Sequence, residues 1–159
     1  MNDNESTLRE QLVTAMSGRE SHIDFESAVK DFPPDLRGVK PAGAPHTAWQ
    51  LLEHMRIAQH DILEFSRNPN HKSPPWPEGY WPSTDAPPDT KAWDATVKAF
   101  KHDARELDQF VQDKRHDLFT GFTHGDGQTL LREALLVATH NSYHLGQLVF
   151  LKKILLGDA

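Results

Sequence analysis

Four stretches of this chain repeat apolar residues at spacings of three and four; prolines cut the first three apart, and a loop over residues 114–127 precedes the fourth. That pattern leaves little open beyond a bundle of helices, because each stretch has one apolar face that must be covered by the others. Residues 6–31 carry Leu8, Leu12 and Ala15, continued less regularly by Ile23, Ala28 and Val29, with Gly18 weakening the middle. The stretch stops at Phe32-Pro33-Pro34, since a proline disfavours helical geometry in the residue before it. Residues 46–66 place Leu51, Met55, Ala58, Ile62 and Phe65 in one stripe. In residues 89–113, Trp93, Val97, Phe100, Ala104, Leu107 and Val111 alternate by four and three throughout. The last stretch, 128–156, puts Leu130, Ala134, Val137, Asn141, Leu145, Leu148 and Leu155 on one face. Nothing shows strand alternation of useful length. The expectation is an all-α four-helix bundle, of antiparallel type on these patterns alone, forming a single domain over residues 1–159.

The second and third stretches are joined by residues 68–88, which hold seven prolines and the aromatic cluster Trp76, Tyr80 and Trp81. A connection this long without periodicity is uncommon in a compact domain. Its aromatic residues plug one end of the bundle or form the wall or lid of a pocket. Extended, it could span roughly 65 Å, so the helices it joins are free to run parallel or antiparallel.

Composition removes several classes of function. A formal charge of -6 with no basic stripe argues against nucleic acid. There are no cysteines, which excludes disulfides, cysteine-type zinc sites and a cysteine nucleophile. The polar, acidic start Met1-Asn2-Asp3-Asn4-Glu5 is unlike a signal peptide, and no apolar run approaches a membrane span. A cytoplasmic location without membrane association is expected. Gly-rich phosphate loops, nucleophile elbows and HExxH are missing, as is the paired Glu-x-x-His pattern of di-iron bundles.

The histidines are the chemistry-bearing residues that remain. His54 lies roughly 60° from the Leu51 direction, at the edge of its stripe, whereas His60 lies roughly 180° away and His102 is opposite the stripe of its own helix. His140 and His144 stand one turn apart and fall roughly 80° and 40° to the same side of Leu130. Three imidazoles bordering core faces of two helices are either ligands of one metal ion or core histidines satisfied by buried partners. Three ligands would leave coordination positions open, as catalytic sites do. His22, roughly 40° from Leu8 if the first helix is continuous, reads as a pocket residue, an extra ligand or a member of an ion-paired cluster with Arg19 or Glu26. Glu53 and Glu133 adjoin these faces and read as solvated or supporting carboxylates.

Three sequence words then carry a resemblance: Pro45-His46-Thr47-Ala48-Trp49-Gln50-Leu51-Leu52-Glu53-His54, Gly79-Tyr80-Trp81-Pro82, and Gly127-Gln128-Thr129-Leu130-Leu131 leading to His140-Asn141-Ser142-Tyr143-His144-Leu145-Gly146-Gln147. In this order the chain resembles the DinB/YfiT-like superfamily of metal-dependent four-helix bundles over nearly its whole length. The resemblance implies a divalent metal held by His54, His140 and His144, and a long crossover between helices two and three. It also implies homodimers and, in members with known activity, transfer or isomerisation that uses a low-molecular-weight thiol. Thr139 stands where an acidic residue is expected in close relatives. The expectation is a metalloenzyme with zinc or nickel, acting as a thiol-dependent S-transferase or hydrolase on small electrophiles, with His22, Tyr143, Gln147, Trp76, Tyr80 and Trp81 as pocket candidates. The competing class is a non-catalytic, metal-stabilised or ligand-binding dimeric bundle.

Overall fold

The computed structural model describes residues 3–157 and is all-helical over them. Helix α1 covers Asp3–Ser17, the short α2 Phe25–Val29, α3 Ala48–Arg67, α4 Ala92–Gln112 and α5 Leu130–Leu156, with 3-10 turns at Pro34–Leu36 and Glu78–Tyr80. The expected first helix is therefore split. Gly18 takes φ +67, a left-handed conformation that ends α1, and the chain re-enters helix only at α2, where the Asp24 side chain caps Ser27. The register drawn from Leu8 across residues 19–26 fails with it. Arg19 and Glu26 do not face inward as a pair; Arg19 is exposed beside Asp24, and Glu26 pairs with Lys101.

α3 begins with a capping box in which Thr47 and Gln50 satisfy each other's backbone donors, and α5 begins on Thr129 and ends on Gly157. α3 packs on α4 and α5, and α1 packs on the other sides of the same two helices. Directions follow from the contacts. Between α3 and α4, Glu53 meets Thr96, Gln59 meets Phe100, His60 meets Asp103 and Arg67 meets Glu106, so both chains advance together. These helices are parallel, which requires the long crossover and departs from the antiparallel arrangement that periodicity alone suggests. α5 runs antiparallel to α3, since Met55 packs with Leu145 while Ile62 and Leu63 pack with Val137.

The core includes Leu52, Met55, Leu63 and Leu148, all fully buried. Each such side chain contributes about 1.5–3 kcal/mol of transfer free energy. A polar bridge crosses this core: Gln59 donates to the Phe100 carbonyl and accepts from Asn141 Nδ2, both at 2.8 Å. It ties α3 to both neighbours at the level of the histidines. Arg9, buried in α1, donates to the carbonyls of Val111, Asp113 and His116, closing the C-terminal end of α4. None of the helices described is long and apolar enough to cross a membrane.

Candidate metal centre

The antiparallel contact of α3 with α5 brings His54 against the one-turn pair His140 and His144. His54 Nε2 lies 3.1 Å from His144 Nε2 and 3.1 Å from His140 Nε2. One ring nitrogen from each histidine falls within 4.8 Å of the other two, a set that could hold a metal ion. His54 and His144 are buried, and His140 is partly so.

Outer hydrogen bonds decide which nitrogens carry protons. His54 Nδ1 points at the Tyr80 carbonyl, 2.8 Å away, and must donate to it. His144 Nδ1 donates to Gln147 Oε1, also at 2.8 Å. Both Nε2 atoms are then bare, and their lone pairs face each other with no proton between them. Two such lone pairs at 3.1 Å repel unless a cation lies between them. Two nitrogens bound to one tetrahedral ion at 2.0–2.1 Å would be roughly 3.3 Å apart, so the donor set fits a divalent ion closely. Protonation is a poor substitute. Burial pushes His54 and His140 down to about 4, with neighbouring histidines adding to the shift, and burial lowers His144 as well. All three rings are neutral at pH 7, the state in which imidazole binds metals.

The crossover loop supplies the support for His54. Its Tyr80 carbonyl takes the Nδ1 proton, and the next residue, Trp81, stacks on the His54 ring with centroids 3.9 Å apart and planes 2° from parallel. His46 stacks on Trp81 in turn, at 3.9 Å. The loop is pinned to α3 by Asp61, which accepts from Tyr80 Oη at 2.6 Å and pairs with His71 Nε2 at 2.7 Å. Burial, with help from the Asp61 carboxylate, pushes the Tyr80 phenol up to about 12, so it stays a donor. Further along, Trp49 Nε1 donates to Thr84 Oγ1, and Thr47 donates to the Asp85 carbonyl.

The other expected residues divide. Gln147 reaches the centre through His144, and Tyr80 and Trp81 reach it through His54. Tyr143 is exposed and makes an edge contact with His144, centroids 4.9 Å apart. Trp76 is 75% exposed and touches only the edge of Tyr80 among the rings, so it does not wall the centre. His22 stands away from the triad. It bonds Ser142 Oγ at 2.9 Å, on a side of α5 roughly 160° from His140 and His144. Its ring packs over Gly18, where a Cβ would come within 2.5 Å of Cε1. Thr139 turns its hydroxyl back to the Leu135 carbonyl and supports no ligand. Glu53 is engaged by Arg56 and Thr96, and the buried Glu133 by Arg132. Sequence reasoning missed Asp61, His71 and the stacking of His46. The available signal was Asp61 itself, seven residues after His54 and so roughly 20° from it on the same helix face.

A helical bundle with a buried three-histidine cluster, held by a long crossover, defines the class. Residues 19–148 match the family model of the DinB superfamily, and the chain belongs to that superfamily. No curated protein and no solved structure matches it.

Proposed function

We propose that His54, His140 and His144 bind one divalent ion, zinc or nickel, through their Nε2 atoms, and that the protein is a metalloenzyme transferring a small electrophile to a low-molecular-weight thiol. The observation that carries the metal reading is the pair of bare Nε2 atoms on His54 and His144, 3.1 Å apart and each fixed by a hydrogen bond at Nδ1. A divalent ion with three imidazole ligands supplies Lewis acidity and lowers the pKa of a thiol or water at an open position.

The chain's own residues do the rest. The Tyr80 carbonyl and Gln147 Oε1 hold two rings in the ligating tautomer and make them better donors. Trp81 covers one face of His54 and keeps water off it. The absence of any Asp or Glu from the triad leaves the centre without a ligand charge to offset the ion, which favours an anionic partner such as a thiolate. The resemblance to superfamily members that dimerise and use low-molecular-weight thiols supports the same assignment with a homodimer and a thiol cosubstrate, and the polar, acidic start with no apolar run of membrane length supports a cytoplasmic setting.

A thiol panel assayed against model electrophiles tests the chemistry. Metal-loaded protein should accelerate conjugation with one thiol, and His140→Ala/His144→Ala should abolish it. Metal-loaded protein that conjugates none of the panel and hydrolyses none of the electrophiles is instead a metal-stabilised scaffold.

A further inference from the structure

A cavity of about 290 Å³ opens beside the triad, between the loop at residues 41–45 and the last turns of α5. His46 and Leu51 form one wall, and Gln147, Phe150 and Ile154 form the other. Among the described residues no Asp, Glu, Lys or Arg lines it, and His46 is the one titratable side chain in the lining. Phe150 and Ile154 are held partly in water, at 64% and 40% exposure. On the loop side, a Cβ built at Gly43 would meet nothing within 4 Å, so that wall is open as well.

Two of these wall residues also act on the triad. Gln147 accepts the His144 Nδ1 proton, and His46 stacks on Trp81, which stacks on His54. The cavity and the histidine cluster are thus separated by single side chains, and a molecule in one touches groups that orient the other.

We infer that this cavity receives a neutral apolar group, aliphatic or aromatic and about naphthyl in size, from a substrate whose reactive end lies at the triad. The size follows from volume: a cavity of roughly 150 Å³ holds benzene, and this one is about twice as large. Neutrality follows from the walls. A charged group placed there would give up part of its hydration with no oppositely charged side chain among the described lining residues to pair with, whereas an apolar group gains by leaving water. The charged parts of any thiol cosubstrate therefore lie outside the cavity. This assignment of substrate class rests on the metal centre proposed above.

Titration of the full chain with the neutral fluorophore N-phenyl-1-naphthylamine, and with its sulfonated relative 8-anilinonaphthalene-1-sulfonate, tests it. The neutral dye should bind saturably at one site, and the sulfonate at least about tenfold more weakly, a difference of about 1.4 kcal/mol. Phe150→Asp, and Ala42→Glu on the exposed loop, should each weaken the neutral dye by about tenfold or more. Leu135→Asp, at an exposed apolar site outside the cavity, should change nothing. Saturating the cobalt-loaded chain with dye should shift its visible absorption. No saturable binding, equal binding of the sulfonate, or indifference to both cavity variants overturns the cavity assignment. Dye binding without any spectral shift overturns its link to the triad. A chain that binds dye as expected but takes up no cobalt refutes the metal centre and the substrate role, while the neutral apolar selectivity of the cavity stands.

Discussion

Asp61→Ala probes the support of the centre without touching a histidine of the triad. Asp61 is 8% exposed, and its carboxylate makes two short contacts, to Tyr80 Oη at 2.6 Å and His71 Nε2 at 2.7 Å. Hydrogen bonds to a charged group contribute about 1.5–3 kcal/mol each. Tyr80 and His71 are only half-buried and can recover part of that from water, so the combined loss should be about 2–4 kcal/mol. The more specific consequence lies at His54. Releasing Tyr80 loosens the carbonyl that fixes His54 Nδ1 and the Trp81 ring beside it. Loss of such outer support typically lowers metal affinity by about 10–100-fold. Competition with a chromophoric chelator reads affinity, and thermal unfolding in the presence of chelator reads stability. Asp61→Asn keeps one acceptor for Tyr80 and should recover most of the affinity. An Asp61→Ala protein that unfolds earlier but holds metal as tightly as the parent would refute a positioning role for the loop.

Two further outcomes follow from the same contacts. Folded His54 and His140 titrate at about 4 against an ordinary value of 6.5, so the unfolded chain binds more protons between those values. Metal-free protein should therefore hold its full stability contribution from these groups above about pH 6.5 and lose it progressively as pH falls toward 4; an unfolding temperature that stays flat from pH 7 to 4.5 contradicts the burial of neutral rings. Arg9→Ala strips the Val111, Asp113 and His116 carbonyls of their shared donor and should destabilise the fold by about 2–5 kcal/mol while leaving metal content unchanged, since Arg9 touches none of the triad; a loss of metal at temperatures where the variant is folded would show coupling that these contacts do not provide.

Much of the fold was legible because periodicity reports faces. The stripes of α3, α4 and α5 bound those helices to within a few residues, and angular position alone separated the inward His54 from the outward His60 and His102. Apolar spacing resumes, less regularly, beyond Gly18 and so predicts one helix across α1 and α2, whereas the left-handed turn at Gly18 sets the break. In α4 the buried face drifts from the strict four-three stripe. Thr96 and Asp103 are buried, while Val97 and Ala104 are only partly so, because Glu53 and His60 across the interface satisfy the polar groups. At the site, ligand spacing was visible and ligand support was not. His54 depends on a backbone carbonyl and an aromatic ring from an aperiodic loop, and no repeat in the sequence records where such a loop lands.

The central claim is that three neutral imidazoles converge because a cation belongs among them. Elemental analysis of the purified protein measures this directly. The account predicts close to one zinc or nickel ion per chain, lost in His140→Ala/His144→Ala with the helical circular-dichroism spectrum retained. A folded parent protein that carries no divalent metal, and takes none up when zinc or nickel is offered, would contradict it.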